Sequence, residues 1–310
     1  MRIAILPTGR MEWEALPQAL QSLFPQHEFY SLPTEMEVKS YGEDFPAHSL
    51  TSCDVTKHSG KQNEADKLIA RAAAEAIGDS KRDRKAADMV IILDDLEIAN
   101  LHQPVAVVGA VREAAKRFLD QLLNANKRRD RYAVALKKKV SFHMAKPMIE
   151  SWLFPDWENL KNACNPTRAA KLAQGIDPEC FLTNDPVYET DTGAVCQIWI
   201  SFPEDKRKKY RPQWIKAGCC RNIHPKAYLS WLCFDPQEKK CSHYSETKGG
   251  VVALKSLKWA GLFQNENHTC FARSMIQDIA NAINEDNPFP GMTALETNLL
   301  DVRQRILRNL

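Results

Sequence analysis

Residues Met89 to Leu93 read MVIIL, and Asp94 and Asp95 follow them directly. A continuous apolar run of this length is typical of a strand whose two faces are both covered by helices. The run therefore predicts a central strand of a parallel sheet, with two carboxylates at its carboxyl end. Ligands of open parallel sheets bind beyond that end of the strands.

The segments around this strand alternate between strand and helix patterns. The predicted strands are Arg2 to Leu6, Glu28 to Leu32, Met89 to Leu93 and Lys139 to Met144. The predicted helices are a segment with Trp13, Leu16, Leu20 and Leu23 on one face, Asn63 to Ile77 before a Gly78 cap, Val111 to Asn124, and Pro147 to Leu153. Residues 40 to 62 are polar and aperiodic, which indicates a loop. This order predicts an α/β domain with a mainly parallel sheet flanked by helices.

The pattern loosens after about residue 160. Cys196 to Phe202 (CQIWISF) predicts a strand, whereas Ser274 to Ile283 and Thr293 to Leu307 predict helices. We therefore expect an α/β domain over 1–160 and an α+β extension over 161–310. The two could equally pack as one unit.

The bulk composition is that of a globular protein. The 310 residues are 44% hydrophobic and 26% charged, and the net charge of +3 argues neither for nor against a nucleic-acid partner. No apolar run approaches the roughly 20 residues that span a bilayer, and Met1 to Leu6 lacks the pattern of a signal peptide. Nine cysteines at irregular spacing favour reduced thiols. We expect a cytoplasmic protein without membrane association.

The acidic end of the central strand is the candidate for chemistry. Asp94, Asp95 and Glu97 follow MVIIL, and Glu12 and Glu14 follow the first strand. Carboxylates held together repel one another unless a cation neutralises them, and Mg²⁺ or Mn²⁺ suits such a cluster. A bound metal could activate water for attack on a phosphoryl group. The plainer alternative is that these acids cap the next segment or face solvent.

A third strand leads to His143, Lys146 and Glu150. We rank Glu150 as a further catalytic candidate. His143 has two interpretations. It is either a general base or phosphate ligand, or a histidine that hydrogen-bonds to the backbone at the start of a helix, and the latter is the commoner outcome.

Pro7-Thr8-Gly9-Arg10-Met11-Glu12 and Leu93-Asp94-Asp95-Leu96-Glu97 resemble the two motifs of TOPRIM domains. These are the Mg²⁺-binding domains of topoisomerases, primases and OLD-family nucleases. Gly9 and Glu12 match the first motif, but Thr8 stands where the family has its catalytic glutamate. The resemblance implies either that Glu12 or Glu14 takes over that role or that catalytic power is lost.

Three further segments resemble uncharacterised TOPRIM-like proteins that are often encoded with bacterial anti-phage systems. They are Lys146 to Asp156 (KPMIESWLFPD), His224-Pro225-Lys226 with Tyr228-Leu229, and Tyr244 to Gly249. The resemblance implies a role in antiviral defence. Since the chain has no ATPase motif, it also implies a separately encoded ATPase or other defence-system subunit as a partner.

Two other patterns have both functional and plain interpretations. The second half of the chain is rich in Cys and His, namely Cys219, Cys220, His224, Cys233, Cys241, His243, His268 and Cys270. One interpretation is a structural zinc site, although these residues are spaced more tightly than the usual pairs of zinc ligands. Cysteines buried as small hydrophobic side chains are the simpler interpretation. Four basic clusters are either solvated loops or a track for a phosphate backbone: Lys81 to Lys85, Lys127 to Arg131, Lys137 to Lys139 and Lys206 to Arg211. Tyr210 and Trp214 could stack on bases, although packing in the core or on the surface is the favoured role for both.

The sequence therefore predicts a metal-dependent nuclease that hydrolyses phosphodiester bonds of DNA or RNA. Its catalytic candidates are Glu12, Asp94, Asp95, Glu97 and Glu150, and its metal-ligand candidates are Glu12, Glu14, Asp94, Asp95 and Glu97. One alternative is a catalytically degenerate TOPRIM-like subunit that binds nucleic acid or a partner protein. Another is a metal-dependent phosphatase that acts on small molecules. The sequence is compatible with a homo-oligomer and does not determine the oligomeric state.

Overall fold

A computed structural model describes residues 1–40, 49–57, 62–79, 85–122, 126–173, 177–193, 197–201, 203–204, 206–207, 211–234, 244–263 and 270–285. The chain forms two compact units, and the C-terminal segment from Cys270 belongs to the first of them. The first unit otherwise ends at Ala145, and the second spans Lys146–Thr269. This division differs from the sequence boundary near residue 160, because the last described helix packs on the first unit's sheet.

The first unit is built on a parallel sheet with the strand order β2-β1-β3-β4. The strands are β1 (Arg2–Pro7), β2 (Glu28–Ser31), β3 (Met89–Asp95) and β4 (Val140–Ala145). Each neighbouring pair is parallel, with Ile5 opposite Ile91 and Ile92 opposite Phe142. The four predicted strands and the parallel α/β sheet are confirmed.

Helices flank this sheet. They are α1 (Arg10–Leu23), α2 (Glu35–Ser40), α3 (Gln62–Ile77), α4 (Glu97–Asn100), α5 (Pro104–Asp120), α6 (Asn126–Lys139) and, from the end of the chain, Cys270–Ile283. Helix α3 contacts α5, α6 and β3, whereas α1 contacts β1 and β2. Apolar residues of α3, α5 and α6 share one core with Val90, Ile92 and Phe142. The predicted helix Asn63 to Ile77 is confirmed, and Gly78 follows it with a φ of 72°, the left-handed cap that glycine favours.

Helix α6 was absent from the sequence prediction. Its fourteen residues include seven lysines and arginines, so the apolar pattern that signals an amphipathic helix is weak. The burial of Ala135 and Leu136 in the core cluster holds the helix in place. Tertiary packing therefore decided this element.

The second unit is helical in its described residues. Its α-helices are α7 (Trp157–Cys164), α8 (Pro186–Thr190), α9 (Gln197–Ser201), α10 (Gln213–Lys216), α11 (Pro225–Leu232), α12 (Val251–Lys255) and α13 (Trp259–Leu262), and Cys270–Ile283 of the first unit is α14. It also has 3-10 turns at Ile149–Leu153, Pro178–Cys180 and Gly218–Ile223, and a π-helical turn at Glu246–Gly250.

Two secondary-structure predictions made from the sequence are wrong within this unit. The described part of Cys196 to Phe202 is the helix α9 and not a strand, since an apolar run this short does not distinguish the two and no strand of the described residues is there to pair with it. The predicted helix from Pro147 is a 3-10 turn. Within the described residues, strand-like pairing in this unit is the single bridge between Leu172 and Thr183, so the expected α+β extension is mostly helical there. The predicted helix Ser274 to Ile283 is confirmed in α14, and Thr293 to Leu307 lies outside the described residues.

Aromatic side chains form the core of the second unit. Tyr228 contacts Phe154, Tyr188 and Trp231 with ring centroids 4.8 to 5.9 Å apart. The Trp231 indole donates a hydrogen bond to Asp191 Oδ2 at 2.8 Å. Large rings bury much apolar area, and this buried indole N–H has found an acceptor.

Cys164 at the end of α7 and Cys233 after α11 form a disulfide, with their Cα atoms 5.8 Å apart. The expectation of reduced thiols is wrong for this pair. The two residues are far apart in sequence, so spacing along the chain could not reveal that the ends of two helices meet. Cys53, Cys180, Cys219 and Cys220 are free.

Across the described segments, no helix combines the length and the apolar character needed to cross a bilayer.

Candidate functional site

The carboxylate of Asp94 is buried at the end of β3, with 1% of the residue exposed. Its Oδ1 accepts hydrogen bonds from the hydroxyl of Thr8 and from Ser49 Oγ, the latter at 3.4 Å. Its Oδ2 accepts from the backbone N–H of Leu50 at 3.1 Å. Both oxygens therefore have donors from the protein itself.

Two elements bring these donors to Asp94. Strand β1 lies beside β3, and the N–H of Thr8 donates to the carbonyl of Leu93 at 3.0 Å. The second element is the segment 49–57, which is held by Asn100. The Asn100 side-chain amide donates to the carbonyls of Thr51 and Cys53 at 2.9 and 3.0 Å. The sequence predicted only a loop here, and its role in covering Asp94 was missed.

Burial raises the pKa of Asp94 to about 6, while the hydrogen bonds from Thr8, Thr51 and Leu50 act in the opposite direction. A charged carboxylate that leaves water loses hydration, and hydrogen bonds return part of that loss. Asp94 is thus a buried acid whose titration reaches the range close to neutral pH.

The other predicted acids do not share this environment. Asp95 is the next residue of the strand, so its side chain points to the opposite face of the sheet, and it is half-buried. Glu97 is half-buried at the start of α4 with a φ of 60°. Glu12 is 5% exposed, and a Cβ at Gly9 would overlap its carboxylate, so Glu12 lies against the turn between β1 and α1.

Glu14 occupies a different side of α1. Its carboxylate pairs with Arg10 at 2.8 Å, one helical turn earlier, and both side chains are partly exposed. Glu12 is buried while Glu14 reaches the surface, because residues two apart on a helix face different directions.

The resemblance implied a Mg²⁺ or Mn²⁺ site at this edge of the sheet. Hard divalent cations need several free oxygen ligands. In the described parts of the chain, no group of three or more His, Cys, Asp or Glu side chains is placed to hold a metal ion. The described positions of these side chains therefore do not form the expected ligand set, and both oxygens of Asp94 accept hydrogen bonds from the protein. The metal roles of Glu12, Glu14, Asp94, Asp95 and Glu97 stay predictions.

Glu150 belongs to a separate polar cluster in the second unit. It is 3% exposed in the 3-10 turn Ile149–Leu153, and its Oε1 accepts a hydrogen bond from Tyr244 at 3.1 Å. Lys226 Nζ lies 4.0 Å from the same oxygen and also pairs with Glu246. The three segments that carried the second resemblance therefore meet at one place, which their separation in sequence did not reveal.

His224 lies beside this cluster. Burial lowers the pKa of its imidazole, and the negative charge of Glu150 acts against that shift. Its Nδ1 accepts from the N–H of Ala227 at 3.4 Å and so caps α11. In this cluster Lys226 pairs with acidic side chains, and the buried carboxylate of Glu150 accepts a hydrogen bond. A buried polar group with its partners satisfied stabilises the packing of the segments that supply it, so this cluster holds the three segments together.

His143 on β4 is 2% exposed and contacts side chains, not the backbone partner favoured from the sequence. Its Nε2 lies 3.1 Å from Ser141 Oγ and 3.3 Å from Asp278 Oδ2, and its Nδ1 lies 3.3 Å from Ser274 Oγ. Ser274 is 3% exposed. A serine and histidine this deeply buried cannot meet a substrate as they stand, so the group fastens α14 to β4.

Comparison with protein-family models, with curated proteins and with solved structures finds no match for this chain.

Two of the predicted basic clusters, Lys127 to Arg131 and Lys137 to Lys139, lie on one helix, α6. Five of its basic side chains are exposed: Lys127, Arg128, Arg131, Lys137 and Lys138. A cleft of about 460 Å³ runs beside α6, and Lys116 and Arg129 line it together with Lys137. The only acid within α6 is Asp130. This surface, which we call the basic helix surface, is positive.

The basic helix surface and Asp94 do not share one edge of the sheet. Lys137 to Lys139 directly precede β4, so they lie at the amino ends of the parallel strands, whereas Asp94 is at the carboxyl end of β3. Lys139 Nζ donates to the carbonyl of Ala87, just before β3 begins, at 3.0 Å. The convergence of basic and acidic residues considered from the sequence is therefore not found for this part of α6.

The remaining predicted groups are only partly described. Residues 81–84 of the first basic cluster and 208–210 of the last, including Tyr210, lie outside the described residues, as do Cys241, His243, His268 and the side chain of Cys270. Trp214 is 0% exposed and packs on Phe234, which confirms core packing, the favoured of its two interpretations, and leaves no face for a base.

Proposed function

We propose that this chain is a TOPRIM-like subunit that binds nucleic acid through the basic helix surface and does not cleave it at the end of β3. The observation that carries the proposal is the concentration of lysine and arginine on α6, at the strand edge opposite Asp94. This is the degenerate-subunit alternative raised by Thr8 in the position of the family's glutamate.

The charge pattern of α6 suits a phosphate backbone. Seven basic residues and one acid lie within fourteen positions, and five of the basic side chains are exposed. Each phosphate neutralised on duplex DNA releases condensed counterions, which makes log K fall with log salt by about 0.9 per contact. Four or five contacts would therefore give a slope of roughly −4.

The state of Asp94 supports binding without cleavage. Thr8 donates a hydrogen bond to Oδ1 of this carboxylate and the Leu50 N–H donates one to Oδ2, so a cation that coordinated Asp94 would compete with donors of the protein itself. The resemblance adds a biological setting for such a subunit, namely antiviral defence together with a separately encoded ATPase or another partner.

One observation favours the metal-dependent nuclease as the second candidate. Strands β1 and β3 are hydrogen-bonded neighbours, so the turn that buries Glu12 and the pair Asp94-Asp95 lie at the same edge of the sheet.

Binding is tested by fluorescence anisotropy with labelled duplex DNA, single-stranded DNA and RNA over a series of salt concentrations. The variant Lys127→Glu/Lys138→Glu changes two exposed residues of α6. The control Lys67→Glu/Lys161→Glu makes the same change in net charge at surface lysines elsewhere. We expect the α6 variant to bind at least about tenfold more weakly and with a shallower salt slope, and the control to bind like the wild type. Equal affinities for both variants would overturn the assignment of the surface.

Cleavage is tested with the same nucleic acids in the presence of Mg²⁺ or Mn²⁺, comparing the wild type with Asp95→Ala. We expect binding without cleavage. Cleavage that the substitution abolishes would establish the nuclease instead, and hydrolysis of small phosphate esters alone would favour the phosphatase.

A further inference from the structure

Cys219 and Cys220 are consecutive residues of the 3-10 turn Gly218–Ile223, and their Sγ atoms lie 3.8 Å apart. Both thiols are free, Cys219 is exposed, and Cys220 is half-buried. Gly218 just before them has a φ of 57°, a conformation that a residue with a side chain rarely adopts. The glycine turn between α10 and this segment thus precedes a pair of adjacent thiols.

The distance between the two sulfur atoms matches that of two thiolates on one tetrahedral metal ion. A Zn–S bond is about 2.3 Å, and two such bonds at the tetrahedral angle place the sulfur atoms about 3.8 Å apart. Consecutive cysteines do not have the usual spacing of zinc ligands in sequence, so this geometry could not be predicted from it.

A cleft of about 470 Å³ adjoins the pair. Cys219 lines it together with Glu189, Asp191, Arg221 and Trp214.

We propose that Cys219 and Cys220 together bind one soft divalent cation of the Zn²⁺ or Cd²⁺ class. Thiolate sulfur is the ligand that such ions prefer. No third Cys, His, Asp or Glu of the described segments is close enough to complete the site. The remaining coordination positions are therefore filled by water or by a small ligand that enters the cleft. This site is independent of the basic helix surface.

Binding exchanges two S–H bonds for two S–metal bonds and releases two protons to the buffer. The pKa of Cys220 is raised, first by its hydrogen bond with Cys219 and then by burial. Since the thiolate is the ligand, cation affinity is expected to increase with pH.

Cd²⁺ is the probe, and the full-length protein is titrated without reductant so that the Cys164–Cys233 disulfide stays intact. The ultraviolet charge-transfer band from thiolate to Cd²⁺ reports binding. The variants Cys219→Ser and Cys220→Ser remove one ligand each, and Cys180→Ser removes another free, exposed thiol as the matched control. We expect each of the first two variants to weaken binding at least about tenfold, and the control to bind like the wild type.

A second measurement needs no substitution. Alkylation by iodoacetamide is followed residue by residue by mass spectrometry, with and without Cd²⁺. We expect Cd²⁺ to slow labelling of Cys219 and Cys220 together, and to leave labelling of Cys53 and Cys180 unchanged. Equal labelling rates at the pair with and without Cd²⁺, or Cd²⁺ affinity that survives in Cys219→Ser/Cys220→Ser, would overturn the proposal.

Discussion

The substitution Asp94→Asn tests how the carboxylate at the end of β3 is held. Oδ1 faces the hydroxyls of Thr8 and Ser49, which can donate or accept, whereas Oδ2 faces the N–H of Leu50, which only donates. An asparagine with its carbonyl oxygen toward Leu50 and its amide toward the hydroxyls keeps these hydrogen bonds. We therefore expect the variant to fold.

The magnitude follows from the pKa of Asp94, which burial raises from 3.8 to about 6. The difference is about 2 pKa units, and at about 1.4 kcal/mol per unit it corresponds to about 3 kcal/mol. Because the folded-state pKa is the higher one, the stability that Asp94 contributes is complete below about pH 4 and is lost as pH rises through about 6. Asparagine does not titrate, so the variant escapes this loss.

The free energy of unfolding is measured for both proteins by urea denaturation between about pH 4.5 and about pH 7.5. Because the chain has two compact units, hydrogen exchange of the β1 and β3 amides is used to measure the unfolding free energy of the first unit separately. Over this interval we expect Asp94→Asn to gain about 2 kcal/mol relative to the wild type. Asp120→Asn, at an exposed carboxylate of the same unit, is the control and is expected to show no such trend. A difference between Asp94→Asn and wild type that does not change with pH would refute the buried-acid description.

Three further substitutions test local packing, each by the free energy of unfolding from urea denaturation. Gly249→Ala would place a Cβ onto the carbonyl oxygen of Ala163, so we expect a loss of at least about 2 kcal/mol, and an unchanged stability would contradict this contact. Gly109→Ala in α5 meets open space and is expected to stabilise by up to about 1 kcal/mol; a loss would show hidden crowding. Asp156→Ala removes the side chain that caps α7 and pairs with Lys258, so we expect a loss of about 1 kcal/mol, with Lys258→Ala alone costing less.

Strong local patterns predicted the sheet. The runs around Ile5 and Ile91 are continuously apolar, and only a strand covered on both faces buries such runs completely. Strand β4 carries Ser141 and His143 among its apolar residues, and all six of its residues are buried. Weak patterns failed. Helix α6 was missed because its many lysines and arginines leave it without a clear apolar face. The segment of α9 was predicted as a strand because hydrophobic periodicity cannot distinguish a helix from a strand over five residues.

The candidate site could also be predicted only in part from the sequence. The sequence located Asp94 at a strand end and identified Thr8 as a departure from the TOPRIM motif that its segment resembles. It could not show that Thr8 and Leu50 donate hydrogen bonds to the two oxygens of that carboxylate, because Leu50 comes from a segment without a hydrophobic period. Nor could it show that Glu150, Lys226 and Tyr244 meet, since their partners are set by packing within the second unit.

The sequence by itself determined the parallel α/β framework and the strand end where acids collect, since these follow from the period and length of apolar runs. The tertiary structure decided which charges face one another. It set Asp94 among hydrogen-bond donors, joined two basic clusters on α6 at the opposite edge, and brought two thiols to 3.8 Å. Hydrogen bonds and metal ligation depend on distances of a few ångströms between side chains, and those distances are fixed only when helices and loops pack onto the sheet.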